Sequence, residues 1–192
     1  LIKYNDENTY KDRILSCLDE LNKNEVVLFL HEDMFLYNTP KYDILNEFND
    51  LIKNDKCHLI KLTRAFENLN KSELHNNLLI NPLNQLFSIQ PTILKVSTLK
   101  NILTKVPGNN IWEFEANTTD KYLNNYLSLC AFDENLDFKR GKFHYDSSIF
   151  PYVCTAVIKG KWNYKEYKKK LFEIFYNKKF NIFSYYLSRF KT

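Results

Sequence analysis

Glycine is scarce in this 192-residue chain, with 3 residues, and proline is limited to 5. That scarcity excludes collagen-like and linker-like chains. The 4 cysteines, Cys17, Cys57, Cys130 and Cys154, are scattered without a CxxC pair. A disulfide framework or a structural zinc site is therefore not expected; reduced, mostly buried thiols in a cytoplasmic protein are. No apolar run approaches the ~20 residues that a membrane-spanning helix needs, and no signal-peptide pattern precedes Leu1. The chain does not open on an initiator methionine, so its true start is expected upstream of Leu1. Neither sign of charge dominates: 27 Lys and Arg stand against 23 Asp and Glu, a formal charge of +4. That mild basicity falls short of a dedicated nucleic-acid binder.

What the chain does have is a core. Apolar residues make up 44 % and aromatics 16 %, which excludes wholesale disorder, and the length suits a single domain over 1–192. The preference for Asn, Lys, Ile and Tyr reflects an AT-rich genome rather than a function. Residues 9–21 (TYKDRILSCLDEL) place Ile14, Leu15, Leu18 and Leu21 at helical spacing, with Thr9 as N-cap. The continuous run Val26, Val27, Leu28, Phe29, Leu30 is apolar on both faces and reads as a central strand covered by helices on each side. Further helices are expected over 40–52, 92–103 and most of 112–129. Further strands are expected over 58–62, 87–90 and 153–158, and a long basic, aromatic helix from Tyr164 to Arg189. Alternation of this kind predicts an α/β domain with a mixed sheet.

The most informative segment runs from Val26 to Met34. Open α/β sheets bind ligands beyond the carboxyl ends of their strands, and Glu32 and Asp33 stand there as adjacent carboxylates. Such a pair repels itself and resists desolvation unless a cation or polar partners offset the charge. Hard oxygen donors suit Mg²⁺ or Mn²⁺, and His31 could join them; the competing reading is a solvated acidic loop. Arg13, on the preceding helix, has a planar fork able to hold a diphosphate or a sugar hydroxyl, although a lone helical Arg is more often a surface residue. Trp112, Glu113, Phe114 and Glu115 set two carboxylates beside two aromatic rings, the makings of a sugar site in which a carboxylate activates a hydroxyl. The same residues also suit an amphipathic helix start with acids at the positive end of its dipole. A third region, from Arg140 to Tyr145 and on to Lys159, Gly160, Lys161 and Trp162, carries Gly141 and Gly160 at turns that call for positive φ or close backbone approach.

Taken in order, TYKDRILSCLDEL, VVLFLHEDMFL, FSIQPTILKVSTLKNIL, WEFE and GKW resemble a group of small bacterial and large-DNA-virus glycosyltransferases with a GT-A-like, Rossmann-like fold. The resemblance covers roughly residues 9–165. It implies a mixed sheet flanked by helices, and transfer of a sugar from a nucleotide-diphosphate donor to a hydroxyl on a glycan or glycoprotein, with inversion. It puts Asp33, with Glu32 nearby, where such enzymes carry an Asp-x-Asp motif for Mn²⁺ or Mg²⁺. Arg13 would face the donor, Gln90 would floor the sugar pocket, Trp112 would line the acceptor face and Lys161 would contact substrate. Glu115 or Glu113 would act as the base. The chain departs from the family in two ways. Its metal motif is His-Glu-Asp, and the first strand–helix units, which hold base and ribose, would precede Leu1; either the chain lacks them or the domain is abbreviated.

Two rival classes remain open on the residues. Glu32, Asp33 and His144 could form a metal-dependent hydrolase or nuclease site. The basic aromatic helix could instead make this a non-catalytic binding module, with residues 164–190 lying on an anionic membrane or recruiting a partner. Either function is compatible with a cytoplasmic protein in a bacterium or a virus-infected cell, membrane-associated through that helix. Nucleic acid is not an expected partner, because acids are interleaved with bases throughout.

Overall fold

The computed structural model describes residues 7–31, 34–133, 139–140, 144–145, 147–153, 156–158 and 160–177. The chain forms two compact units, the first from Leu1–His31 and Pro40–Phe150, the second from Glu32–Thr39 and Pro151–Thr192.

The first unit is α/β, with helices against a mixed five-stranded sheet. Its strands are β1 (Val26–Phe29), β3 (Leu59–Lys61), β4 (Leu78–Ile80), β5 (Thr92–Lys95) and β6 (Ser128–Ala131), in the order β1-β5-β3-β6-β4. β5 runs antiparallel to both β1 and β3, β3 runs parallel to β6, and β4 is antiparallel to β6. Strands β1, β3 and β6 therefore end on the same edge, the edge on which β5 begins. The helices are α1 (Tyr10–Asp19), α2 (Tyr42–Lys53), α3 (Val96–Lys105), α4 (Ile111–Ala116) and α5 (Asp120–Leu123).

One face of the sheet carries Val27, Phe29, Leu59 and Leu94, packed with Leu18 of α1, Leu99, Ile102 and Leu103 of α3, Phe114 of α4 and Leu123 of α5. By strand alternation Ile60, Ile93 and Lys95 point the other way. Lys95 meets Asp55, just beyond α2, at 2.6 Å, which puts α2 with its buried Phe48 and Ile52 on that second face. Thr9 caps α1 as expected, accepting from the Asp12 N–H at 3.3 Å. Pro107 and Gly108 end α3.

Four expectations need correction. The run Val26–Leu30 forms an edge strand among the described residues, paired with β5 alone, and Leu28 is 42 % exposed. Residues 87–90 form no strand; the strand follows Pro91, where Thr92 to Lys95 gain partners on both sides. Helix α3 thus begins at Val96 instead of at position 92. The stretch 112–129 breaks at Asn117 to Thr119 and again at Asn125, whose φ of 70° lies in the left-handed region that Asn tolerates, and it finishes in strand β6. β4 carried too few apolar residues to be foreseen.

In the second unit β2 (Phe35–Leu36) pairs antiparallel with β9 (Tyr152–Val153), and β10 (Val157–Ile158) pairs with β11 (Lys161–Trp162). The segment expected as one strand over 153–158 is thus divided between β9 and β10. Gly160, at φ 73°, occupies the turn position anticipated for it; Gly141 lies outside the described residues. The short strands β7 (Lys139–Arg140) and β8 (His144–Tyr145), which belong to the first unit, pair antiparallel. Helix α6 (Tyr164–Asn177) kinks at Tyr167 and buries Tyr167, Leu171 and Phe175. Trp162 packs against Phe35 at 5.6 Å and Phe175 at 5.0 Å between ring centroids. The expected continuation of this helix to Arg189 lies outside the described residues.

Cys17, Cys57 and Cys130 are free thiols, the last two buried; Cys154 lies outside the described residues. Burial pushes the Cys57 thiol up to about 12. No described helix is long and apolar enough to cross a membrane.

Gly108 yields a test of the packing between the end of α3 and α4. A Cβ there would stand 2.6 Å from the Phe114 backbone nitrogen and 2.7 Å from its Cα, and neither atom can move without shifting α4. Gly108→Ala is expected to cost about 1–3 kcal/mol, a fall in melting temperature of roughly 3–10 °C by calorimetry. An unchanged melting temperature would contradict so close an approach.

Candidate functional site

The sheet edge where β1, β3 and β6 end and β5 begins gathers most of the polar chemistry of the first unit. His31 follows β1, Thr63 and Arg64 follow β3, Gln90 precedes β5, and Asp133 follows β6. Glu115 enters from α4, whose start is fixed by Asn110: its side-chain oxygen accepts from the Trp112 and Glu113 N–H groups, each at 3.0 Å.

Glu115 is held in place by the loop before β5. Its Oε1 accepts the Ile89 N–H at 2.5 Å, one residue before Gln90. The same loop is stitched to the α4–α5 connection by Thr118, whose hydroxyl donates to Phe87 O at 2.6 Å and whose carbonyl accepts from Leu86 N–H at 2.8 Å. Oε2 of Glu115 has no hydrogen-bond partner among the described residues. Burial pushes the carboxyl above the ordinary glutamate range, opposed by the Ile89 bond and then by the positive charges of Lys61 and His31. The His31 Nε2 stands 2.8 Å from the Tyr10 hydroxyl, and its ring lies edge-on to Phe29.

Lys61 is the unforeseen member of this group. It sits in β3 opposite Thr92 and Cys130, on the core face by its spacing from Leu59, and is 1 % exposed. Its ammonium donates to Gln85 O at 3.3 Å and has Phe66 at 6.0 Å. No carboxylate among the described residues lies within ion-pair distance of it. Burial pushes Lys61 down from 10.5 to about 8, opposed by the negative charges that Cys130 and Glu115 can carry. Burial likewise raises the Cys130 thiol to about 11. A buried ammonium and a half-buried carboxyl thus each favour the other's ionised form against the cost of desolvation.

Further along the edge, the Arg64 guanidinium lies 3.7 Å from the Tyr145 ring centroid and 5.5 Å from that of Phe132. Asp133 is buried; it accepts from both the Ser148 hydroxyl and the Ser148 N–H, and Lys41 approaches it at 3.6 Å. These contacts pin residues 147–150 to the end of β6, which is a structural task.

The residues singled out in the sequence fall into three groups. Glu115 and Gln90 are brought together through Ile89, and Gln90 is half-buried, its carbonyl accepting from the Thr92 hydroxyl at 2.9 Å. Glu113 points elsewhere: its carboxylate accepts from Asn109 N–H at 3.0 Å and from Asn110 Nδ2 at 2.8 Å, a capping arrangement at the helix start. Trp112 is 76 % exposed, and Arg13 is half-buried on α1, on the turn after Tyr10. Lys161 lies in β11 of the second unit. Glu32 and Asp33 lie outside the described residues, as does the side chain of His144, on which the hydrolase reading depends. Among the described residues no three His, Cys, Asp or Glu side chains are grouped to hold a metal ion. No protein-family model, curated protein or solved structure matches the chain.

The Lys61 environment makes a prediction about pH. The unfolded chain holds this proton up to about pH 10.5, the folded chain only up to about pH 8. Between those values the unfolded state binds more protons, so stability rises with pH. Denaturant titrations at rising pH are expected to show the wild type gaining roughly 2–3 kcal/mol on Lys61→Met by about pH 10. A constant difference across that range would mean that the folded ammonium is solvated.

Proposed function

We propose that this chain is a glycosyltransferase of the GT-A type, with Glu115 as the base that deprotonates the acceptor hydroxyl. The observation that supports this most is the setting of Glu115. It is a carboxylate with a raised pKa, fixed by the backbone of the FSIQP loop next to Gln90 and influenced by His31, the residue directly before Glu32 and Asp33 in the chain. The Rossmann-like arrangement implied by the resemblance is compatible with the mixed sheet and its edge of converging strand ends.

In this reading Glu115 takes the proton of the acceptor hydroxyl through its unengaged oxygen while that hydroxyl attacks the anomeric carbon of the donor. The new carbon–oxygen bond forms as the bond to the diphosphate breaks, and the nucleoside diphosphate leaves with the electron pair. A base whose pKa is raised toward the working pH is better suited to this than an ordinary surface glutamate. Lys61 opposes the rise, and so keeps the carboxyl ionisable. Gln90 is suited to hydrogen-bond the transferred sugar and Trp112 to stack on an acceptor sugar. Asp33 and Glu32 offer hard oxygen donors that fit Mn²⁺ or Mg²⁺, which would supply Lewis-acid stabilisation of the departing diphosphate.

The test is a panel of nucleotide sugars with Mn²⁺, read as release of nucleoside diphosphate with simple sugars as acceptors. One donor is expected to turn over. Glu115→Gln should lower kcat roughly 10²- to 10⁴-fold with little change in donor KM, whereas Glu113→Gln should stay within a few-fold of wild type. Lys61→Met should move the acidic limb of the pH profile upward, because removal of the positive charge raises the Glu115 pKa further. A panel without any turnover, or a fully active Glu115→Gln enzyme, would refute the proposal.

A further inference from the structure

Helix α6 carries two faces of opposite use. Tyr167, Leu171 and Phe175 are buried. On the turns after the kink, Lys168, Lys169, Phe172 and Tyr176 share the adjacent, exposed side, at spacings of three, four and eight residues, and Lys165 is exposed one turn earlier. Phe172 is 61 % and Tyr176 76 % exposed, and their rings stack with centroids 6.3 Å apart and planes 16° apart. Two large rings held side by side in water are an unusual expense for a helix already anchored by three other residues. Lys165, Lys168 and Lys169 flank the rings, and the exposed acids Glu166 and Glu173 lie along the far edge of this stripe, so its ring-bearing centre is basic.

We infer that this stripe docks on the surface of an anionic lipid bilayer, with Phe172 and Tyr176 entering the headgroup region and Lys168, Lys169 and Lys165 meeting the lipid phosphates and carboxylates. Charge complementarity selects an anionic surface. A bilayer fits the geometry better than a nucleic-acid strand does. The stripe is a convex helix side without a groove to track a backbone, and each ring already has its neighbour against one face where a base would stack. No described helix is long enough to span a bilayer, so the contact is peripheral. The residues involved are separate from those of the proposed glycosyl-transfer site.

Co-sedimentation of the full chain with vesicles tests this. Binding is expected to phosphatidylcholine vesicles containing ~30 % phosphatidylserine and not to pure phosphatidylcholine, weakening steeply with added salt. Phe172→Ser combined with Tyr176→Ser should reduce binding at least about tenfold. Lys168→Gln combined with Lys169→Gln should do the same and flatten the salt dependence. Both sites are exposed, so melting temperatures should stay near wild type. Absence of binding to the anionic vesicles, binding indifferent to both double variants, or stronger capture by a single-stranded oligonucleotide lost in those same variants would each overturn the inference.

Discussion

A lysine ammonium on the covered face of a sheet must be desolvated, and Lys61 has one long hydrogen bond to the Gln85 carbonyl with which to offset the loss. Single buried charges of this kind cost several kcal/mol unless another charge or a shifted pKa relieves them. Here both occur. The proton is held less tightly, and Glu115 stands near enough for each group to favour the other's ionised form. The position of Glu115 in turn depends on the loop before β5, whose backbone N–H fixes the carboxylate and whose carbonyl is tied to Thr118. The end of β3, the loop at 86–90 and the short helix α4 are therefore energetically one object. Disturbing any of them shifts the ionisation balance of Lys61 and Glu115.

That coupling explains why two glutamates only two residues apart differ so completely. Positions separated by two on a helix lie on nearly opposite sides. Glu113 faces water at the first turn of α4, where its carboxylate satisfies the amides of Asn109 and Asn110. Glu115 faces the core, where desolvation is the leading influence on its pKa. Glu113 therefore serves as a cap in contact with water, and Glu115 as a half-buried acid tied to the Ile89 N–H. The helix geometry alone gives the two carboxylates these different surroundings.

Much of this organisation could be read from the residues. Helical spacing located α1 and α2, the Thr9 cap marked the start of the first helix, and Pro107 with Gly108 marked the end of α3. The errors share a physical origin. A continuous apolar run suits burial on both faces but does not require it, and it says nothing of lateral neighbours, so Val26 to Leu30 could look central while β1 lies at an edge with Leu28 exposed. The apolar residues from Thr92 onward fit both a strand and a helix, and the backbone changes from one to the other within consecutive residues. Lys61 did carry a signal, since a single lysine inside HLIKL is out of place in a strand otherwise apolar. Its meaning depends on Gln85, Cys130 and Glu115, which are distant in sequence and meet it only through register and loop closure. No local pattern can report such a meeting.

The same distinction separates the two halves of α6. Periodicity shows that Tyr167, Leu171 and Phe175 belong on one side and Phe172 and Tyr176 on another, but both sets are aromatic, and composition alone would bury them all. Packing decides: Trp162 occupies the edge of Phe175, and no comparable contact covers Phe172 and Tyr176 beyond their own stacking among the described residues. Single exposed apolar residues are ordinary, whereas neighbouring exposed rings make a continuous apolar surface. The lysines beside the rings bear on the charge of an approaching surface, because positive charge there lowers the energy of approach to a negative surface and raises it for a basic one. Burial and exposure thus divide one helix by the same rule that divides Glu115 from Glu113: the side of the helix a residue occupies sets the solvent it meets, and the solvent sets the chemistry open to it.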